Sequence, residues 1–172
     1  MKLTDDLVNK GFSLQDVTID DMDRFIDIKR ECYKKYVDEY NGGWIDEIQV
    51  VIHKDGFKRM LQYTCFQKIL LKDLTVGFFA WDERDGKIDG ISILMAEPAR
   101  NKGMGSFYLD VLTSRSTQTD KPVFLKDFKS NPALSLLKRF GFQIYDESRT
   151  HYFMSFNRDP GDYFDHYRII TQ

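Results

Sequence analysis

The sequence is poor in the residues that mark disulfide-rich and metal-binding proteins. Only two cysteines and three histidines occur among 172 residues. Cys32 and Cys65 lie far apart and in no metal-binding spacing, so they favour a reduced, cytoplasmic setting in which both thiols are buried as small apolar groups. The scattered histidines likewise indicate no metal site.

Long apolar runs and an excess of positive charge are also missing. No run approaches the roughly 20 residues that a membrane-spanning helix needs. The N-terminal sequence MKLTDDLVNKGF has no hydrophobic core of a signal peptide. With 25 Lys and Arg against 27 Asp and Glu, the formal net charge is −2, so no general basic field attracts nucleic acid. We therefore expect neither a membrane nor a nucleic-acid partner.

The chain does contain the composition of one globular domain. Hydrophobic residues make up 42% of the chain and charged residues 30%, which is typical of a chain that buries its own core. A length of 172 residues predicts a single domain, residues 1–172. The aromatic share is high, at 15%, and we assign it mainly to the core.

The first part of the chain predicts a short strand near residues 12–17 and then two helices. In TIDDMDRFIDIKRECYKKYVDEY, residues 18–40, apolar side chains recur at steps of three and four, which predicts one buried helical stripe. These side chains are Met22, Phe25, Ile28, Cys32, Tyr36 and Tyr40. The NGG sequence at 41–43 ends this helix, and a second helix is expected at about 45–61.

The rest of the chain predicts strands and two more helices. The runs CFQKILL, TVGFFAW and KIDGISILM, joined by tight turns, indicate an antiparallel meander over 65–96. A helix at about 103–115, a strand at 121–128, a short helix and a final strand pair follow. This order predicts an α/β (α+β) domain whose mixed, mostly antiparallel central sheet is flanked by helices. The tail, residues 157–172, is expected on the surface or at a subunit contact.

Two glycines and two cations lie together where the third strand of the meander ends and a helix begins. The segment EPARNKGMGSFYLDVL, residues 97–112, contains Arg100, Lys102, Gly103 and Gly105. Amides at a helix start lack partners within the helix, the helix dipole adds positive charge, and glycine uncovers the backbone. The loop therefore predicts a pyrophosphate cradle. A tight turn with solvated cations is the alternative that this segment alone leaves open, and other nucleotide-binding motifs fit it poorly.

A second motif follows the next predicted strand. In NPALSLLKRFGF, residues 131–142, Asn131 caps a short helix and Gly141 ends it. In this order, the two motifs resemble those of the GNAT superfamily of acyl-CoA-dependent N-acetyltransferases. The Arg/Gln-x-x-Gly-x-Gly/Ala motif of that family corresponds to Arg100, Gly103 and Gly105. Its Asn-x-Ala motif with an aromatic-Gly-Phe end corresponds to Asn131, Ala133, Phe140, Gly141 and Phe142.

The resemblance implies that acetyl-CoA binds along the strand before the glycine loop. The backbone of that strand would pair with the pantetheine arm, at Ile93, Leu94 and Met95. The loop would hold the pyrophosphate, at Arg100, Asn101, Lys102, Gly103, Met104, Gly105 and Ser106. The Asn131 side chain would bond to the arm from the other side. The chain would divide into an acceptor-side region (1–64), a coenzyme-binding core (65–156) and a C-terminal extension (157–172), with no metal.

The reaction implied is transfer of the acetyl group to a primary amine in a ternary complex. A base must take a proton from the amine, and the Met95 N–H would stabilise the developing oxyanion. Relatives place a tyrosine acid and a glutamate base where this chain has Leu137 and Lys126. The candidate replacements, each with a purely structural alternative, are Asp89 near a turn, Glu47 on a solvated helix face, and Tyr152 in the core.

The amine acceptor is less defined. Carboxylates surround Trp44 and would attract a cationic amine. A solvated helix-loop-helix corner is the simpler explanation of the same residues. The candidate acceptor-binding residues are Trp44, Glu47 and Gln49. A small-molecule or a peptide amine fits, as does a monomer or a homodimer. Because Leu137 and Lys126 depart from the family pattern, a non-catalytic acyl-CoA-binding or regulatory protein on the same scaffold stays open, as does a nucleotide-binding module that ignores coenzyme A.

Overall fold

The computed structural model describes residues 1–157, so the predicted C-terminal extension lies, apart from Asn157, outside the described residues. The chain forms two compact units. Of the described residues, the first contains 1–83 and 90–108, and the second contains 84–89 and 109–157. Seven strands form one sheet in the order β1-β2-β3-β4-β5-β7-β6. The predicted fold class is confirmed.

The helices are α1 (Asp5–Asn9), α2 (Met22–Tyr40), α3 (Asp46–Met60), α4 (Met104–Thr119) and α5 (Ala133–Arg139). The strands are β1 (Phe12–Asp16), β2 (Cys65–Leu71), β3 (Leu74–Arg84), β4 (Lys87–Met95), β5 (Val123–Phe128), β6 (Gln143–Glu147) and β7 (His151–Phe156). The short helix α1 was not predicted, because its five residues carry too little periodicity. Helix α2 begins later than predicted, since Ile19–Asp21 form a 3₁₀ turn.

The core of the first unit is built around the predicted stripe of α2. Phe25 is buried and makes edge-on contacts with Phe57, Phe66 and Phe78, at centroid distances of 5.1, 5.8 and 5.2 Å. Burial of each such ring contributes about 1.5–3 kcal/mol, and edge-on geometry is preferred between aromatic rings. This cluster therefore fixes α2 and α3 on strands β2 and β3.

The meander forms as the turn sequences predict. Lys72 and Asp73 connect β2 to β3 with φ angles of 48° and 68°, and Asp85 and Gly86 connect β3 to β4 with φ angles of 48° and 74°. Two consecutive residues with positive φ are typical of the tight hairpin turn whose twist matches that of the strands. Strand β2 pairs antiparallel with both β1 and β3.

A bulge in β3 lies beside the end of β4. Ile69 of β2 pairs with Gly77, but Leu70 pairs with Thr75, so Val76 is the extra residue. Gly77 is required here, because a Cβ atom would collide with the Leu94 carbonyl and lie 2.8 Å from Ile69 Cδ1. The bulge thus brings the backbone of β3 unusually close to β4 where the glycine loop begins.

The second unit contains the sheet's parallel bridge and its last two strands. Ile88 and Val123 are parallel partners between β4 and β5, whereas β7 pairs antiparallel with both β5 and β6. Gly141 has a φ of 85° just after α5, as expected for a glycine that ends a helix. Leu137 is buried, so α5 packs by its apolar side.

Candidate active site

The end of β4 directs its backbone groups in two directions. The Leu94 carbonyl faces Gly77, and the Ala96 N–H donates to the Val76 carbonyl at 2.8 Å, so both face β3. Neighbouring residues of a strand direct their backbone groups to opposite edges, and Ile93 and Met95 therefore point away from β3. Of the three residues expected to pair with the pantetheine arm, Ile93 and Met95 have the required direction, and Leu94 does not.

The amides of the glycine loop have no hydrogen-bond acceptor on the backbone of the described residues. Asn101 and Gly103 have φ angles of 58° and 98°, a conformation that glycine and asparagine tolerate best. Helix α4 starts at Met104, and the Phe107 N–H donates to the Gly103 carbonyl at 2.9 Å. The helix amides before Phe107 have no acceptor within the helix. Among residues 1–157, no backbone carbonyl outside α4 accepts a hydrogen bond from the N–H groups of residues 101–106.

The surroundings of these amides suit an anion. Asn101, Lys102, Gly103 and Ser106 are exposed, whereas Met104 and Gly105 are buried and anchor the start of α4. Lys10 adds a cation that the sequence did not reveal, because its Nζ lies 3.4 Å from the Lys102 carbonyl, although it also pairs with Asp6 at 2.6 Å. A helix start with open amides and nearby cations is a favourable site for a phosphate group.

The Arg100 side chain is bonded within the protein. Its Nε donates to the Met95 carbonyl at 2.8 Å, and its Nη2 pairs with Glu31 at 3.1 Å. Cys32 lies beside the same carbonyl, with its Sγ 3.4 Å from the oxygen. Sequence reasoning predicted Arg100 as a charge for the diphosphate and missed Glu31 altogether. No sequence signal links residues 31 and 100, since only the packing of α2 brings them together.

The Asn131 side chain, predicted to bind the pantetheine arm, lies in the second unit. Its Oδ1 accepts the Ala133 N–H at 3.0 Å, but the N-cap residue of α5 is Pro132, so Asn131 bonds to the start of the helix from one residue before the predicted capping position. Its Nδ2 donates to Asp127 Oδ1 at 2.8 Å, and burial raises the pKa of the Asp127 carboxyl. Asp127 is the cross-strand partner of Tyr152, whose ring lies 5.1 Å from Lys129 Nζ.

The other predicted catalytic groups have ordinary surroundings. Asp89 pairs with Lys87 at 2.8 Å, and Glu47 is exposed in the first turn of α3. Leu137 is buried and Lys126 is exposed. Glu47 and Met95 belong to the first unit, whereas Asp89 and Tyr152 belong to the second. The roles of these residues stay predictions.

The presumed acceptor region is a corner formed by residues 38–53, which we call the acceptor corner. Trp44 is held by two carboxylates: its backbone N–H donates to Asp38, and its Nε1 donates to Asp46, each at 2.8 Å. Both carboxylates are also ion-paired, Asp38 with Lys34 and Asp46 with Arg30. The acidic charge expected to attract an amine is therefore largely neutralised by neighbouring cations.

The rest of the acceptor corner contains partly buried polar groups and exposed aliphatic side chains. Gln49 is partly buried, and His53 lies 5.5 Å from Trp44, ring centroid to ring centroid. Burial, with the nearby Lys29 charge, lowers the pKa of His53 to about 4. The outward side of α3 carries aliphatic side chains that are more than half exposed, namely Ile45, Ile48, Val51 and Ile52.

Within residues 1–157, no group of three or more His, Cys, Asp or Glu side chains is arranged to hold a metal ion. In the same part of the chain, no helix has the length and apolarity that crossing a membrane requires.

Comparison with known proteins identifies the fold. No protein-family model and no curated protein matches the chain. The PaiA N-acetyltransferase of Thermoplasma acidophilum, solved with coenzyme A, matches with a TM-score of 0.67 and 14% identity, over 84% of this chain and 97% of that chain. Arabidopsis thaliana Naa50, solved with a bisubstrate analogue, matches with a TM-score of 0.56 and 17% identity, over 85% and 98%.

A GNAT-family acetyltransferase of Bacillus anthracis matches with a TM-score of 0.57 and 10% identity, over 85% of this chain and 94% of that chain. These identities are too low to transfer a substrate or a residue role. They establish that the chain has the fold of the GNAT-superfamily acetyltransferases, as its two motifs implied.

Proposed function

We propose that this protein is an N-acetyltransferase that transfers an acetyl group from acetyl-CoA to the primary amine of a small molecule or a peptide. The observation that carries the proposal is the run of amides without a backbone acceptor at residues 101–106, which follows the strand end at Met95 in a chain with an acetyltransferase fold. A fold alone does not define a function, but this loop is the part of the fold that would hold the co-substrate.

In this proposal the loop binds the diphosphate of acetyl-CoA. The amides of residues 101–106 donate to the phosphate oxygens, and Lys102 and Lys10 supply positive charge. The backbone groups of Ile93, which point away from β3, pair with the pantetheine arm, and the Met95 N–H points in the same direction, toward the thioester. Asn131, from the second unit, remains a predicted ligand of that arm.

The chemistry needs few side chains. The free amine attacks the thioester carbonyl, a C–N bond forms, the C–S bond breaks and coenzyme A leaves as a thiolate. The amine gives up its proton to a base or to water, and the thiolate accepts one from an acid or from water. The Met95 N–H stabilises the oxyanion. Asp89, Glu47 and Tyr152 are the candidates for proton transfer, and holding both reactants together supplies much of the acceleration.

The proposed acceptor is an amine, of a small molecule or of a peptide. Naa50 was solved with a bisubstrate analogue that joins CoA to the peptide MVNAL, so a fold of this kind accommodates a peptide amine. In this chain Trp44, Glu47 and Gln49 are the proposed acceptor-binding residues. With Asp38 and Asp46 paired to Lys34 and Arg30, Glu47 is the carboxylate of this set that is offered to a cationic amine.

Two measurements test the proposal together. Calorimetric titration with coenzyme A and with ATP measures whether the site is specific for coenzyme A. Thiol release from acetyl-CoA, measured across a library of small-molecule and peptide amines, then measures transfer. We expect coenzyme A to bind and ATP to bind much more weakly. We also expect thiol release from acetyl-CoA to depend on one class of amine. Equal binding of ATP, or no binding of coenzyme A, would contradict the assignment.

A second candidate function is a non-catalytic acyl-CoA-binding or regulatory protein on the same scaffold. The observation that favours it is Leu137, which is buried where relatives place a tyrosine acid. This candidate predicts that coenzyme A binds as tightly as in the first proposal. It also predicts that no amine in the library increases thiol release above the rate of acetyl-CoA hydrolysis.

A further inference from the structure

The Met95 carbonyl receives two side-chain donors from outside the sheet. Arg100 Nε donates to it at 2.8 Å, and the Cys32 thiol lies 3.4 Å from it. Burial raises the pKa of Cys32, so the thiol keeps its proton and remains a donor at neutral pH. This carbonyl points away from β3 and is already bonded within the protein. Met95 can therefore offer a ligand its N–H and not its C=O.

Glu31 holds the guanidinium in place. Its Oε1 accepts from Arg100 Nη2 at 3.1 Å and from the Glu97 N–H at 2.8 Å. One carboxylate oxygen thus joins α2 to both ends of the short turn that follows β4. The two side chains are 43% and 42% exposed, and exposed ion pairs contribute little stability, so the network matters for geometry more than for stability.

The peptide plane between Met95 and Ala96 is fixed from both sides. On one side the Met95 carbonyl accepts from Arg100 and Cys32, and on the other the Ala96 N–H donates to Val76 at 2.8 Å. A peptide unit is planar, so these three bonds set the orientation of the whole unit. The Met95 N–H belongs to the preceding peptide unit, whose Leu94 carbonyl faces Gly77, so it points away from β3. The two units meet at the Met95 Cα atom, and a rotation of the fixed plane would change the backbone angles of Met95.

We infer that Arg100 and Glu31 are positioning residues that aim the Met95 N–H at the reacting carbonyl, rather than ligands of the diphosphate. The inference rests on the proposed function, because the Met95 N–H matters only if a thioester is held there. An oxyanion donor has to be held in place before reaction to be effective. Glu31 acts through Arg100, and Arg100 acts through the Met95 carbonyl.

Three substitutions at one position separate the two roles of Arg100. Arg100→Gln removes the charge but keeps an N–H donor at the same distance along the side chain as Nε. Arg100→Lys keeps the charge but has a methylene group at that point, and Arg100→Met has neither. If Arg100 positions Met95, glutamine preserves function. If Arg100 neutralises the diphosphate, lysine preserves it.

The first readout is independent of activity. In the free protein, NMR measures the ¹³C shift of the Met95 carbonyl and the exchange rate of the Ala96 amide. We expect both to stay near wild type in Arg100→Gln, and both to change in Arg100→Lys and Arg100→Met. Unchanged values in Arg100→Met would overturn the inference, whatever the activity of the protein.

The second readout uses the amine that gives the fastest thiol release. We expect Arg100→Lys and Arg100→Met to lower kcat about tenfold or more, by analogy with the loss of an oxyanion donor, while the Kd for coenzyme A changes less than threefold. Lys102→Met, which removes a charge proposed to bind the diphosphate, should raise that Kd more than any of the Arg100 variants does. A raised Kd with normal kcat in Arg100→Gln would overturn the inference. Absence of any turnover in the wild type would refute the proposed function and leave the NMR test in force.

Discussion

The glycine loop and the acceptor corner belong to the same unit but use their polar groups in opposite ways. In the loop, the backbone amides of residues 101–106 have no backbone acceptor, and four of these six residues are exposed. In the corner, the polar side chains bond to one another: Asp38 and Asp46 hold Trp44 and pair with Lys34 and Arg30.

This difference explains why the co-substrate is easier to infer than the acceptor. A site made of backbone amides depends on glycine, on a strand end and on a helix start, all of which a sequence displays. A site made of side chains depends on which partners those side chains find in the fold. If the glycine loop and the acceptor corner differ in this way, substitutions in and beside each should have different effects on stability and on ligand binding.

The strand beside the loop should tolerate no added side chain, whereas the helix of the acceptor corner should accept one. Gly77→Ala places a methyl group against the Leu94 carbonyl and Ile69, and we expect it to lower the free energy of unfolding by about 3 kcal/mol. Gly56→Ala, in α3 with open space around its Cα, should raise it by about 0.5–1 kcal/mol. Urea denaturation of both variants measures the contrast, and equal effects would refute the close approach at Gly77.

A negative charge at the start of α4 should prevent binding of coenzyme A without harming the fold. Ser106 is exposed in the first turn of α4, where a carboxylate is favourable for the helix but repels a diphosphate. We expect Ser106→Glu to raise the Kd for coenzyme A at least about tenfold, which corresponds to about 1.4 kcal/mol. Ser106→Gln, the neutral control of the same size, should bind normally; if both variants bind equally, the diphosphate lies elsewhere.

The partly buried His53 of the acceptor corner should make stability depend on pH. The pKa of His53 is about 4 in the folded chain against an ordinary 6.5. Between these values the unfolded chain binds more protons, so stability is fully present above pH 6.5 and declines as the pH falls toward 4. We expect Tm of the wild type to fall more between pH 7 and 4.5 than Tm of His53→Phe, measured by calorimetry. Parallel curves would show that His53 does not contribute.

Two adjacent carboxylates of α3 should differ in role. Asp46 bonds to Trp44 and Arg30, whereas Glu47 is exposed. Asp46→Ala should shift the tryptophan fluorescence and lower stability by less than about 1 kcal/mol, with little direct effect on amine binding. Glu47→Ala should leave the fluorescence unchanged and raise KM for a cationic amine. If Asp46→Ala alone raises KM, the paired carboxylate, not Glu47, contacts the acceptor.

Several parts of this structure follow from local sequence. Three features depend only on residues that are close together in the sequence: the apolar stripe of α2, the Asp-Gly turn before β4 and the glycine that ends α5. Their periodicity or backbone requirement is therefore visible in the chain. The two GNAT-type motifs are local in the same sense, which is why the fold could be anticipated from a sequence that no family model matches.

Other features could not be anticipated, because they depend on contacts between distant segments. Glu31 meets Arg100 across 69 residues, and the bulge at Val76 is defined only against β2. The acidic groups near Trp44 looked available in the sequence, yet Arg30 reaches Asp46 across 16 residues and neutralises it.

The sequence by itself determined the order of the elements from β1 onward, the mixed sheet and a glycine loop suited to a phosphate, because each of these depends on backbone conformation and short-range periodicity. The tertiary structure alone decided how the charged side chains are used. Packing of α2 turns Arg100 toward the Met95 carbonyl and pairs the carboxylates of the acceptor corner. The physical reason is that the partner of a charged side chain is set by distance in space, which the spacing of residues along the chain does not fix.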